Sequence, residues 1–143
     1  MTQRVALVTG AMGGIGTAIC QELAKAGHKV VAAYHPEFDK PEEWTKAMAE
    51  AGFNDFICVA GDVSDYDSCV ALTAEAEAKA GPIDILVNNA GITSDAQLVK
   101  MSTEQFDKVI NVNLKGVFLC TRAVAPYMIS QGSGRNKTRW RQA

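Results

Sequence analysis

The sequence is short of metal ligands. It has two histidines, His28 and His35, and four cysteines (Cys20, Cys58, Cys69, Cys120) scattered without a C-x-x-C pair. That excludes the usual zinc spacings and a disulfide-stapled scaffold, and it leaves no metal site to expect. The cysteines read as reduced, mostly buried thiols. No apolar run approaches the roughly 20 residues of a membrane-spanning helix. The run Val5 to Val8 is too short for a secretory leader, so the cytoplasm is the expected address and a membrane is not an expected partner. Acid is missing from the last quarter of the chain. Residues 1–107 carry 16 acids against 7 bases, and residues 108–143 carry 7 bases and no acid. The net charge of −2 thus averages an acidic body and a basic tail. The body offers no general field for nucleic acid. Arg135, Lys137, Arg139 and Arg141 with Trp140 could meet phosphates and a base, but a solvated peptide is the simpler reading and nucleic acid is not an expected partner.

What is present is a globular composition. The chain has 143 residues, 48% of them hydrophobic and 21% charged, which fits one domain with one core. Arg4–Thr9, His28–Tyr34, Phe53–Ala60 and Ile83–Asn88 read as strands. Helical patterns run over Gly14–Ala26, Pro41–Ala51 and Ser64 or Asp65 to Ala80. A last one starts at Ser102 or Thr103 and continues, with or without a bend near Asn113, through Met128. Phe106, Val109 and Ile110 are its expected buried face. The strands are apolar without clean alternation, as expected where both faces are covered. Four strands alternating with helices imply an open, parallel, doubly wound α/β sheet with right-handed crossovers. Residues 1–132 form the expected domain. The tail, residues 133–143, has no apolar run and no cap and is expected to be irregular, without a fifth strand.

The strongest chemical signal lies between the first strand and the first helix: Gly10, Ala11, Met12, Gly13, Gly14, Ile15, Gly16. Glycine permits a tight turn and removes the Cβ that would hold a diphosphate away, while a helix N-terminus presents free N–H groups and partial positive charge. The strand–turn–helix context raises this pattern well above a lone glycine motif and predicts a dinucleotide site. The second strand ends at Tyr34 and His35, with no carboxylate to accept from the adenosine ribose hydroxyls. Lys40 follows in the loop. It either pairs with a 2′-phosphate or is a solvated loop charge. NADP(H) is therefore favoured over NAD(H).

Three further stretches complete a pattern: Gly61-Asp62-Val63, Asn88-Asn89-Ala90-Gly91 and Asn111-Val112-Asn113-Leu114. With Thr9-Gly10-x-x-x-Gly14-x-Gly16 they resemble the short-chain dehydrogenase/reductase family over about residues 3–134. The opening is similar to the branch that reduces acetoacetyl-CoA, with the 3-oxoacyl carrier-protein reductases next to it. The resemblance implies a truncated Rossmann-like sheet of four strands in the order 3-2-1-4, with helices on both faces. It implies that the glycine turn holds the diphosphate, that Asp62 accepts from the adenine amino group, and that Val63 lines the adenine pocket. Asn89, Ala90 and Gly91 would pass beneath the ribose. Asn113 would be the catalytic-tetrad asparagine, whose helix distortion helps organise a proton-relay water. From the residues alone, Asp62 could cap a helix, Asn88 and Asn89 could satisfy turn backbone, and Asn113 could be a solvated helix residue.

The family's serine and its Tyr-x-x-x-Lys pair are missing. Tyr34, Tyr66 and Tyr127 are followed four positions on by Phe38, Val70 and Gln131. Beyond Gly134 the sequence reads like a truncation with a foreign tail. The expected function is an NADP(H)-binding oxidoreductase related to 3-oxoacyl-CoA reduction, with an acyl thioester or another carbonyl as substrate and weak or no turnover. The alternative is a non-catalytic nucleotide-binding module. Without a fifth strand, Ile83–Val87 would be an open edge and the long helix would lose cover, so a homodimer or higher oligomer is expected.

Overall fold

In a computed structural model, which describes residues 3–138, the apolar Val5–Val8 form β1, buried along its whole length. The chain then alternates: α1 (Gly14–Lys25), β2 (Lys29–Tyr34), α2 (Pro41–Glu50), β3 (Ile57–Ala60), α3 (Tyr66–Ala80) and β4 (Ile83–Asn88). A short 3₁₀ turn at Leu98–Lys100 precedes α4 (Thr103–Ile110). A π-helical turn at Asn111–Lys115 joins α4 to α5 (Gly116–Gln131), and β5 (Arg135–Thr138) follows. All strand pairs are parallel, in the order β3-β2-β1-β4-β5. Among the described residues no helix is long and apolar enough to cross a membrane.

The sheet is covered on both sides, and successive β2 residues divide between the two cores. Val31 and Ala33 join Leu7, Val59, Leu72, Leu86, Leu119 and Val124 on the α3/α5 side. Val30 and Ala32 join Val8, Cys20, Trp44 and Met48 on the α1/α2 side. This two-sided burial is why β1 and the Val30–Ala33 stretch of β2 are apolar at every position. Leu7 is 1% exposed, so Leu7→Ala costs about 2–5 kcal/mol.

Three expectations need correction. The tail is not strandless: Arg135–Thr138 pairs in parallel register with Ile85–Asn88, so β4 is an inner strand and the predicted four-stranded order gains a fifth member. A strand at a sheet edge needs backbone pairing more than apolar side chains, and the polar Arg-Asn-Lys-Thr sequence hid it. Gly132, at φ +77°, ends α5 in the left-handed conformation that lets the chain turn back to the sheet. Asn136 then locks the strand: Asn88 Nδ2 donates to its Oδ1 at 2.8 Å, and its Nδ2 donates to Thr121 Oγ1 at 2.9 Å. The tail residues beyond 138, Trp140 among them, lie outside the described residues.

The third strand is shorter than expected. Phe53 and Phe56 precede it and pack beside Trp44 on the α1/α2 core. The expected buried face of the long helix is also wrong in part. Phe106 is 56% exposed and Ile110 37%, because no element among the described residues lies over that side of α4. The bend near Asn113 is real, and it is a π-helical turn.

Candidate functional site

The turn after β1 is held by its neighbours as well as by the Gly13 amide donating to the Gly10 carbonyl at 3.4 Å. Thr9, 2% exposed, accepts at Oγ1 from the Asn89 and Ala90 amides, both at 3.1 Å. Asn89 Nδ2 donates to the Gly10 carbonyl at 3.0 Å, and the Ala11 amide donates to Ala33 at 3.2 Å. Thr17 Oγ1 donates to Ala11, and Trp44 Nε1 donates to Thr17 Oγ1 at 2.9 Å. The carboxyl ends of β1, β2 and β4 therefore form one braced edge, the place where open α/β sheets bind ligands.

The glycines of the turn do different work. Gly10 has φ +61°, and a Cβ there would stand 2.8 Å from Ala90 Cα. A Cβ on Gly16 would overlap the Gly10 carbonyl oxygen. These two serve close packing of backbone on backbone. A Cβ on Gly14 would meet nothing within 4 Å, and one on Gly13 only Gly10 O at 3.7 Å. Gly13, Gly14 and Ile15 are exposed, and α1 has no side-chain cap. The open space lies over the first amides of a 12-residue helix, whose N–H groups have no intrahelical partner. This is the cradle a diphosphate requires. Met12 is half-buried against the α1/α2 core.

Asp62 follows β3. Its Oδ1 accepts from the Ser64 amide at 2.9 Å and from Ser64 Oγ at 2.6 Å, and its Oδ2 lies 3.8 Å from His35 Nε2. Burial pushes the carboxyl up, but the two Ser64 hydrogen bonds and the His35 ring outweigh it, so the group sits below the ordinary carboxylate range. Asp62 does not cap α3. Asp65 does, accepting from the Ser68 amide at 3.0 Å. Val63 is buried, and the approach of α5 is so close that a Cβ on Gly116 would stand 2.9 Å from Val63 Cγ2.

Asn113 sits in the π-helical turn. Its Oδ1 accepts from the Ile92 amide and its Nδ2 donates to the Ile92 carbonyl, both at 2.8 Å. The side chain is exposed yet engaged: it straps the loop after Gly91, and π turns of this kind concentrate at functional sites. Tyr34 ends β2, half-buried. Lys40 stands at the start of α2 with its ammonium 3.8 Å from Glu43, both side chains about three-quarters exposed.

Sequence reasoning missed His35. Its Nδ1 accepts from the Glu37 amide at 3.1 Å, which places the proton of the neutral ring on Nε2, facing Asp62. The ring stacks on Phe38 at 4.5 Å. A histidine following the strand's last residue carried no periodic or spacing signal. A cavity of about 700 Å³ lies at the opposite, amino-terminal ends of the strands and contains none of these residues.

The model of the short chain dehydrogenase family matches residues 4–135. This chain belongs to that family. As a short-chain dehydrogenase it is 51% identical over 135 residues to nodulation protein G of Azospirillum brasilense, covering 94% of this chain and 54% of that protein. It is 46% identical to acetoacetyl-CoA reductase of Cupriavidus necator, with the same coverages. Among solved structures it is similar to a gluconate 5-dehydrogenase from Burkholderia cenocepacia in complex with NADP and tartrate, with a TM-score of 0.81 and 35% identity, covering 96% of this chain and 53% of that one. The chain spans about half the length of the relatives it matches.

Proposed function

We propose that this short-chain dehydrogenase holds a nicotinamide dinucleotide across the carboxyl ends of β1, β2, β3 and β4. The observation that carries the reading is the open, uncapped start of α1, where Gly14 leaves room against free amides while Gly10 and Gly16 are committed to packing. The amides of Gly14, Ile15 and Gly16 would hold the diphosphate, while that of Gly13 is bonded to the Gly10 carbonyl. Asp62, kept ionised, would accept from the adenine amino group, with Val63 beneath the ring. Asn89, Ala90 and Gly91 would pass under the ribose.

NADP(H) is the preferred form. Tyr34 and His35 bring no carboxylate to the end of β2, and Lys40 is exposed enough to leave Glu43 for a 2′-phosphate. The gluconate dehydrogenase neighbour is itself a complex with NADP, which supports the same preference. Calorimetric titration with NADPH and NADH tests this. NADPH should bind more tightly. A folded chain that binds neither overturns the site, and tighter NADH overturns only the preference.

The substrate class is a 3-oxoacyl thioester, by likeness to the acetoacetyl-CoA reductases. When bound, the dinucleotide supplies the hydride for carbonyl reduction. Asn113 straps the loop after Gly91 through Ile92 and would organise a proton-relay water. No Tyr-x-x-x-Lys occurs in these 143 residues, and losing a positioned proton donor costs about two to four orders of magnitude in rate. Binding with very weak turnover is therefore the outcome expected of these 143 residues taken alone, and the second reading is a nucleotide-holding module. Robust NADPH oxidation with acetoacetyl-CoA would refute both statements about turnover.

The expected homodimer loses one support, since β5 covers β4. It keeps another: Phe106, Leu114 and Phe118, 56%, 61% and 60% exposed, fall with Ile110 at four-residue spacing along α4, the π turn and α5. Light scattering should give twice the chain mass at micromolar concentration, and Phe118→Glu should return it to one. A wild-type monomer at that concentration would end the proposal.

A further inference from the structure

Cys69 of α3 and Cys120 of α5 are 51 residues apart in sequence, yet their sulfurs lie 3.6 Å from each other. Both are buried, at 1% and 3% exposure. Cys69 Sγ also lies 3.5 Å from the Val63 carbonyl and 3.8 Å from that of Asp62, where its S–H donates weakly. We infer that Cys69 and Cys120 form a peroxide-responsive dithiol that closes to a disulfide, stapling α5 to α3 behind the strand end that carries Asp62 and Val63. The sulfurs must approach by about 1.5 Å to reach disulfide bond length, a movement within reach of side-chain rotation where the two helices already pack together.

The two thiols are not equivalent. The Cys120 S–H donating to Cys69 favours the Cys69 thiolate, against the opposing effects of burial and of the Asp62 and Asp65 carboxylates, and its acidity is raised overall. The same contact, together with burial, holds Cys120 in the thiol form. Cys69 is thus the attacking sulfur and Cys120 the resolving one. The Cys69 thiolate attacks one oxygen of hydrogen peroxide, the O–O bond breaks, and the departing hydroxide takes up the proton that the thiol released, leaving one water and a sulfenic acid. Cys120 then attacks that sulfur, a second water leaves, and the S–S bond forms. Two thiols are oxidised and one peroxide is reduced to two waters. Burial makes access depend on local opening of α5, so oxidation should be slow and should accelerate in urea below the unfolding transition. Among the described residues no sulfur is recorded in contact with Cys20 as Cys120 is with Cys69, and burial, followed by the charge of the neighbouring Cys58, pushes the Cys20 thiol up to about 12. The readout does not depend on dinucleotide binding.

The test uses the full chain with Cys58→Ser, which removes the half-buried thiol that could cross-link molecules. After peroxide treatment, intact mass should fall by about 2 Da, and digestion should yield a 69–120 linked peptide that dithiothreitol releases. Cys69→Ala or Cys120→Ala should each abolish the link, and Cys20→Ala should not. A closed loop of this length should raise the melting temperature by roughly 5–15 °C. The linked peptide mapped on the parent protein decides the matter even if a variant fails to fold. A link through Cys20, or sulfinic acid on Cys69 without a link, or unchanged thiols, would overturn the inference.

Discussion

Gly14 and Gly16 stand two residues apart in the same turn, and alanine at each should have opposite consequences. At Gly14 the new methyl meets nothing within 4 Å. The residue opens α1, so replacing glycine there removes backbone entropy from the unfolded chain and stabilises by about 0.5–1 kcal/mol. For a domain of this size that is a rise of roughly 2–3 °C in Tm. The same methyl fills the space that a diphosphate oxygen must enter to reach the helix amides. Losing one charge-assisted hydrogen bond costs about 1.5–3 kcal/mol, or roughly 10- to 150-fold in Kd. At Gly16 the methyl would overlap the Gly10 carbonyl oxygen and stand 2.8 Å from Ala11 Cα, with backbone on both sides. Overpacking of that kind costs about 1–3 kcal/mol, and binding falls because the turn itself moves. Differential scanning fluorimetry and NADPH titration on both variants read the two effects separately. Gly14→Ala should be at least as stable as the parent and bind poorly, and Gly16→Ala should lose both. If Gly14→Ala binds within twofold of the parent, the phosphates do not rest against that amide and the proposed cradle is wrong.

Thr9→Val keeps the shape of the side chain but removes the hydroxyl that accepts from the Asn89 and Ala90 amides. Urea unfolding should show a loss of about 2–4 kcal/mol, whereas a loss below 0.5 kcal/mol would mean these amides find another partner. The Asp62 carboxyl is held below its ordinary range, so its contribution is present above about pH 4 and is lost as pH falls through the lower folded value. The stability gap between the parent and Asp62→Asn should therefore be widest near neutrality and close in acid, and a gap that widens in acid would contradict the sign. Asn113→Ala removes both bonds to Ile92. Hydrogen exchange at the Ile92 amide should accelerate while the β1 amides stay protected, and unchanged exchange would show that the strap does not hold the loop.

Much of the site was legible because it depends on local requirements. The glycine turn lies between a strand and a helix in sequence order, and Asp62, Asn89 and Gly91 follow the ends of strands that could be placed from their apolar runs. Asn113 could be flagged as a poor residue for a mid-helix position, and the distortion it marks is present. What escaped notice depends on neighbours remote in the chain. His35 gains its meaning from Asp62, brought beside it by the pairing of β2 with β3. Thr9 looked like the end of a strand, yet its hydroxyl joins β1 to the residues after β4 across 80 positions. Cys69 and Cys120 looked like two scattered thiols until α3 and α5 packed together.

The amino-acid order alone determined the alternation of strands and helices, the two-sided burial of the sheet and the place of the glycine turn between β1 and α1, since each follows from periodicity and backbone sterics within a few residues. Only the tertiary structure decided that Arg135–Thr138 is a strand, because an edge strand is specified by the ladder offered by β4 and by the Asn88–Asn136–Thr121 contacts, not by its own polar side chains. It also decided which glycines pack and which one stands open, because that difference lies in atoms supplied by the loop after β4 and by the turn's own backbone, which no spacing within the motif encodes.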